Sequence, residues 1–159
     1  MNIQQWLGED NKLGLDIWNK KYRHNNESFL EFVNRVSLGN SEIGTLIVEK
    51  KFIPGGRILA NIGTNKGANT NCAVLPGHDL DSIEKIMDRC KEMALLFKAG
   101  IGLGFNVASI RPKGAMTSTG ANAPGIIPFM ELFSSTTGAI ASGGRRGASL
   151  LFCDAYHPQ

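Results

Sequence analysis

A chain of 159 residues makes one ordinary domain or a small domain pair, long enough to bury about 70% of the surface its unfolded form exposes. Its 17 Lys and Arg against 14 Asp and Glu leave a formal charge of +3, too small to mark a nucleic-acid surface but open to anionic small ligands. No apolar run approaches the roughly 20 residues of a membrane span, MNIQQWLGED has no basic-then-apolar leader pattern, and three widely spaced cysteines suit neither a disulfide framework nor a zinc site. A cytoplasmic protein with no membrane or nucleic-acid partner is expected.

Apolar spacing predicts helices over 13–22, over 28–38 with Phe29, Phe32, Val33 and Val36 on one face, and over 41–51 with Ile43, Leu46 and Ile47. IPGGR, at 53–57, breaks the pattern, which divides the chain into a helical domain over 1–52 and an α/β domain over 53–159. A strand is expected over 70–75. Asp81 and Glu84 fit the capping box of a helix whose inward face carries Ile83, Ile86, Met87, Cys90, Ala94 and Phe97, with Gly100 as its stop. Phe105, Val107 and Ser109 then line one side of a strand ending at Pro112. Residues 114–125 read as a loop, Pro128 opens a helix burying Phe129, Met130, Phe133, Thr137 and Ile140, and a glycine-arginine loop over 142–149 feeds a strand over 149–154. A parallel or mixed sheet interrupted there would present an apolar edge that something must cover.

The glycines at 100, 102 and 104 invite a dinucleotide-binding reading, which fails on two counts. The sixth position of that fingerprint is Phe105, and here a helix precedes the glycines and a strand follows, the reverse of the required order. A helix C-terminus presents carbonyls and repels phosphate. The glycines instead permit close approach to bare backbone. Two loops, 113–125 and 142–149, set Lys113, Arg145 and Arg146 beside glycines and are either phosphate-wrapping or simply solvated. Cys90 and Cys153 read as core residues; the usual fate of Cys72 would be the same. His24, His78 and His157 form no pair at ligand spacing, so no metal is expected. Taken residue by residue, the chain is an α/β module with anion binding left open.

Five stretches in order carry a resemblance: FIPGGRILANIG, NTNCAVLP with DLDSIEKI, KAGIGLGFNVASIRPKG, STGANAPGIIPFMELF and GGRRGASLLFCDAYHP. They resemble the catalytic (large) subunit of ribonucleotide reductases, along essentially the whole chain. The resemblance implies an N-terminal helical domain followed by the first part of a ten-stranded α/β barrel, left incomplete, in an enzyme that reduces ribonucleotides to deoxyribonucleotides by cysteine-radical chemistry. It implies that Cys72 is the first of two cysteines that supply reducing electrons, and that Asn71, Ala99 and Gly100 line the substrate. Asp79, Arg111, Lys113 and Gly114 resemble effector-site residues, with 113–125 as a first specificity loop and 143–148, including Arg146, as a second. The Asp81 and Pro128 helices are expected to pair with their copies in a homodimer.

In the family the radical cysteine, the second redox cysteine and the phosphate-binding turn lie further along, and no ATP-cone segment is recognised here; alone the chain is expected to be inactive. The leading expectation is the N-terminal piece of a split reductase completed by a complementary C-terminal chain. The alternatives are a non-catalytic deoxynucleotide-effector-binding or dimerisation module, a truncated remnant, and, as an outsider, an unrelated nucleotide-binding protein. No cofactor is expected on this segment alone. The resemblance implies adenosylcobalamin or a metal-radical partner for the whole enzyme, with a deoxynucleoside triphosphate or ATP as effector, and PGGRILANIG leans toward the cobalamin-type or phage-like branches.

Overall fold

Asn2, Asn11, Ser28 and Asn40 each accept a backbone N–H from the first turn that follows them, and so fix where the first four helices begin. These are α1 (Ile3–Leu7), α2 (Lys12–Ile17), α3 (Phe29–Val36) and α4 (Ser41–Val48); α5 (Gly56–Asn61) follows. Ser28 and Glu31 complete a reciprocal capping box at α3, which holds the Glu31 carboxyl below the usual glutamate range. The helix expected over 13–22 is α2 continued by a π-helical turn, Trp18–Tyr22, whose wider ring is closed by Arg23 N–H donating to Trp18 O at 2.8 Å. The computed structural model describes residues 1–77, 79–142 and 145–158, grouped in two compact units, Met1–Thr70 and Asn71–Gln159.

In the first unit, Trp18, Phe29, Phe32, Val33, Val36 and Ile47 form a buried core, with Trp18 edge-on to Phe32 at 6.1 Å between centroids. Ile43 and Leu46, expected on the inward face of α4, remain exposed, and of the three apolar residues there Ile47 alone is buried. Against this core lies a charged hub. Arg35 and Glu27 have side chains only 10% exposed and meet through Arg35 Nη2 on Oε1 at 2.8 Å and Nε on Oε2 at 2.9 Å. The same guanidinium donates to the carbonyls of Ile62 at 2.6 Å, Tyr22 at 3.0 Å and Leu59 at 3.2 Å. Those bonds fasten α5 and the residue after it to α3. The first unit therefore continues to Thr70, where the sequence reading divided the chain at 52 and 53.

The second unit is built on a parallel sheet in the order β1-β2-β5: β1 (Cys72–Val74), β2 (Gly102–Asn106) and β5 (Ser149–Phe152). Cys72 pairs with Gly102 and Val74 with Gly104; Gly104 pairs in turn with Leu150 and Asn106 with Phe152. Helices α6 (Ile83–Lys98) and α7 (Ile127–Ala139) lie between the strands in sequence. Side chains alternate across a strand, so Ala73, Leu103, Phe105, Ser149 and Leu151 share one face. That face packs on the helices: Phe105 stands edge-on to Phe133 of α7 at 5.1 Å, and Ser149 Oγ meets Thr137 Oγ1 at 2.9 Å. Cys72, Val74, Gly102, Gly104, Leu150 and Phe152 form the other face, and Val74 is 83% and Phe152 50% exposed.

Several expectations are corrected. Ser82, not Asp81, caps α6, its hydroxyl accepting Lys85 N–H. The buried stripe of α6 is Ile86, Cys90, Met93 and Phe97, while Ile83 and Met87 are 61% and 52% exposed. At 100° per residue those two lie about 50° and about 90° round from the centre of the stripe. Strand β5 stops at Phe152, so Cys153 is exposed and not core. The second strand ends at Asn106, short of Pro112. Within the expected 142–149 loop, β3 (Ala141–Ser142) pairs antiparallel with β4 (Arg145–Arg146). Gly100 does end α6: at φ 77° it donates to Phe97 O while Ile101 N–H reaches back to Leu96 O, the double closure of a Schellman turn.

Arg35→Ala should destabilise the first unit by about 3–5 kcal/mol, because it leaves Glu27 charged and buried and three carbonyls without this donor. Lys20→Ala, which removes an exposed pair with Asp16, should change little. Urea unfolding followed by the fluorescence of Trp6 and Trp18, both in this unit, separates the two outcomes.

Candidate functional site

Two features of the second unit face outward with chemistry on them. The first is the open sheet face. Cys72 opens β1 with its side chain exposed, and a Cβ placed on its partner Gly102 would lie 3.7 Å from Cys72 Sγ. Because Gly102 has no such atom, the sulfur borders a strip of bare backbone. Gly104 continues that strip, with Phe152 Cε2 3.4 Å from where its Cβ would be. The two glycines thus floor a trough walled by Cys72 and Val74 on one side and by Leu150 and Phe152 on the other. Asn71 and the turn at Ala99 and Gly100 lie at the same end of the sheet, since Asn71 O accepts Gly102 N–H at 2.8 Å. A flat polar molecule could rest on this floor within reach of the Cys72 sulfur.

The second feature is a cavity of about 340 Å³ at the start of α6, within the roughly 300–1,000 Å³ of small-molecule sites. Ile86, Ile110, Ala123 and Phe129 give it apolar walls, and Asp81, Ser82, Arg111 and Thr117–Ser118–Thr119 a polar rim. Arg111 organises that rim. Its Nε donates to Asp81 Oδ1 at 2.9 Å, its Nη2 to Oδ2 at 2.9 Å and its Nη1 to Met116 O at 2.8 Å, while its backbone N–H also reaches Asp81 Oδ1. The hydrogen bonds from Arg111 hold the Asp81 carboxyl below the usual aspartate range against a modest opposing effect of burial, and Asp81 in turn raises the guanidinium. The loop beyond is a hydrogen-bonded hairpin: Gly114 N–H donates to Ala123 O at 2.9 Å, Ala123 N–H to Ala115 O at 2.8 Å and Thr117 N–H to Ala121 O at 2.8 Å. The arrangement offers one neutralised ion pair, the Glu84 carboxylate and several hydroxyls around an apolar slot, suited to a ligand with a flat apolar ring and a polar arm.

Of the residues singled out from sequence, Cys72, Asn71, Ala99 and Gly100 gather at one end of the open face, and Arg111 lines the cavity. Gly114 closes the hairpin base behind the cavity wall, at φ 86°, and Lys113 is not among the lining residues. Asp79 does not line it either; it pairs with Lys85 on the outside of α6. The side chain of Arg146, residues 143 and 144, and His78 lie outside the described residues. Sequence reasoning passed over Asp81 as a site residue because it was read as helix-start chemistry, and Ser82 and Thr117–Ser118–Thr119 because short polar stretches carry no pattern of their own. Among the described residues no three His, Cys, Asp or Glu side chains gather as a metal site, and no helix is long and apolar enough to cross a membrane.

Comparison with known proteins bears on the same region. Residues 70–159 match the family described as ribonucleotide reductase, barrel domain. The vitamin B12-dependent ribonucleoside-diphosphate reductase of Thermoplasma acidophilum is 36% identical over 138 residues, 83% of this chain and 18% of the relative. The protein of the same name from Mycobacterium tuberculosis is 37% identical over 116 residues, covering 72% of this chain and 16% of the relative. The ribonucleoside-diphosphate reductase large subunit of Danio rerio is 34% identical over 119 residues, 73% of this chain and 15% of the relative. The chain thus spans less than a fifth of the length of these curated relatives.

A carboxyl whose folded pKa is depressed stabilises the fold fully above its unfolded value, about 3.9, and loses that contribution as pH falls through the lower folded value. The Asp81 carboxyl should therefore titrate by NMR below about 3.9, and Arg111→Gln should return it upward. A midpoint unmoved by Arg111→Gln would separate the shift from this pair.

Proposed function

The chain belongs to the ribonucleotide reductase family, and from that premise we propose that it is the part of a reductase catalytic subunit that carries one reducing thiol, Cys72, and an effector-nucleotide pocket at the start of α6. The observation that carries this reading is Cys72 itself, exposed on a sheet face whose neighbouring strand is stripped to glycine backbone beside the sulfur. A ribose needs that clearance to lie against the strand. Replacing its 2′-hydroxyl by hydrogen takes two electrons: two thiols and the ribonucleotide give a disulfide, the deoxyribonucleotide and water. Cys72 supplies one thiol. Cys90 is buried on α6, and Cys153 lies past the far end of β5, so the second comes from the complementary part of the protein.

In this reading Asn71 and the Ala99–Gly100 turn bound the ribose, and a protein thiyl radical from the complementary part starts the chemistry by removing a ribose hydrogen. The substrate is a ribonucleotide, a diphosphate by the names of the relatives. The effector is a deoxynucleoside triphosphate or ATP. Its base would take the apolar slot of Ile86, Ile110 and Phe129, its sugar hydroxyl would donate to Asp81, and its phosphates would draw on Arg111 and, from beyond the lining, Lys113. The exposed Ile83, Met87 and Ile127 support pairing of the α6 and α7 helices with a second copy. The relatives named as vitamin B12-dependent bring adenosylcobalamin into the reading, as the radical source of the whole enzyme. The α6 cavity, at about 340 Å³, is too small for a corrin, so in this reading the cobalamin does not sit in it.

With the complementary part of the protein present, Cys72→Ala should reduce deoxyribonucleotide formation to background while leaving deoxyadenosine triphosphate affinity within about twofold, under ~0.5 kcal/mol. Asp81→Ala should weaken that nucleotide by about tenfold, ~1.4 kcal/mol, read by calorimetry. Full reduction activity in Cys72→Ala would remove the assignment of the thiol, and unchanged affinity in Asp81→Ala that of the pocket.

A further inference from the structure

The wall of the α6 cavity is held from behind by a residue far along the chain. Past β5 the chain turns, with His157 N–H donating to Asp154 O at 3.0 Å, and Pro158 disfavours helical backbone at the residue before it. The turn leaves Tyr156 in solvent and sets the His157 ring against the segment over 107–111, where His157 Nε2 lies 2.9 Å from Ile110 O. A carbonyl oxygen only accepts, so Nε2 carries the proton of that bond, and the neutral ring is the Nε2–H tautomer. Nδ1 is buried with no hydrogen-bond partner among the described residues, so nothing there favours the other tautomer. Ile110 is 2% exposed and lines the cavity, and Arg111 follows it. From the α6 side the segment is fixed by Ser109 Oγ, which donates to Gly77 O at 2.8 Å and accepts Leu80 N–H at 3.1 Å, and by Arg111 N–H on Asp81 Oδ1 at 2.9 Å. His157 fixes it from the β5 side. A wall held in place before the ligand arrives does not have to be ordered at binding, which favours affinity.

We propose that His157 is a positioning residue of the cavity: its Nε2–H holds the Ile110 carbonyl, and with it the Ile110 wall and the backbone of Arg111, in the arrangement that takes nucleotide. The proposal rests on the nucleotide reading of that cavity. His157 is not among the lining residues and acts through the backbone at 110. Without the Nε2–H donor the segment keeps its two α6-side anchors but can tilt about them, and nucleotide must order it again on binding. His157, which stands at no metal-ligand spacing, thus has its role in one donated hydrogen bond.

Three measurements on the full chain test this role. In nitrogen-15 spectra recorded at about pH 8, where the ring is neutral, His157 should be the Nε2–H tautomer; the Nδ1–H tautomer would overturn the proposal. Glutamine places its amide nitrogen near the position of Nε2 and asparagine near that of Nδ1, and both are uncharged. By calorimetry, His157→Gln should therefore bind deoxyadenosine triphosphate within about twofold of the unaltered chain, and His157→Asn about fivefold more weakly. Gln and Asn variants of equal affinity, whether kept or lost, would overturn it, because the donor at Nε2 would then make no difference. Where a variant does not fold, the unaltered chain decides: by reciprocity, a bond that improves nucleotide affinity by about fivefold is made harder to open by the same factor when nucleotide is bound. Carbethoxylation of His157 by diethyl pyrocarbonate, followed by peptide mass spectrometry, should slow by about fivefold with deoxyadenosine triphosphate, and an unchanged rate in a chain that binds the nucleotide would overturn the proposal alone. An unaltered chain that binds no nucleotide would overturn the pocket reading and the proposal with it.

Discussion

Strand β2 has to satisfy opposite demands on its two faces, and the second unit is organised around that requirement. One face supplies Leu103 and Phe105 to a core shared with α6 and α7; the other carries no side chain at 102 or 104. Glycine in a strand weakens it, because the chain loses more entropy and packs nothing in return. The strand tolerates two of them because it is paired on both sides, with β1 and β5, and anchored by Phe105 against Phe133. The return on that weakness is a floor on which another molecule can approach the backbone beside Cys72.

The same economy of placement governs the cavity. Asp81 and Arg111 neutralise each other, which leaves the Glu84 carboxylate as the remaining charge of the lining, and Arg111 holds the hairpin loop through Met116 O. An anionic ligand entering there must share Arg111 with Asp81. A ligand hydroxyl meets a carboxylate that stays ionised well into acid. In the first unit the charged group plays a different part: Arg35 is spent on Glu27 and three carbonyls and serves as an internal fastener for α5.

Much of this was legible in the sequence where a local rule decides the outcome. Ser28 with Glu31 sets the start of α3, and Gly100 ends α6, because a cap or a left-handed residue acts on its immediate neighbours. The failure of the dinucleotide fingerprint was equally local, since helix-then-strand order is visible in the spacing. The family motifs then pointed to Cys72 and Arg111. What escaped depended on partners distant in the chain. Cys153 continues the alternation of β5, yet pairing with β2 stops at Phe152, and an unpaired residue has no reason to turn inward. Asp81 suits a cap as well as Ser82 does, and only Arg111, thirty positions on, draws it into the cavity rim. Ile83 and Met87 fit an apolar stripe by spacing, but which part of a broad stripe is buried depends on where the sheet lies.

The central claim is that Cys72 is a reducing thiol on a glycine-floored face, and the most direct test is single-turnover redox mapping. The protein, completed by its complementary part and prereduced, is mixed with ribonucleotide without external reductant, quenched, and digested for disulfide analysis. One disulfide containing Cys72 is expected for each deoxyribonucleotide formed. Deoxyribonucleotide formed while Cys72 stays a thiol would contradict the account.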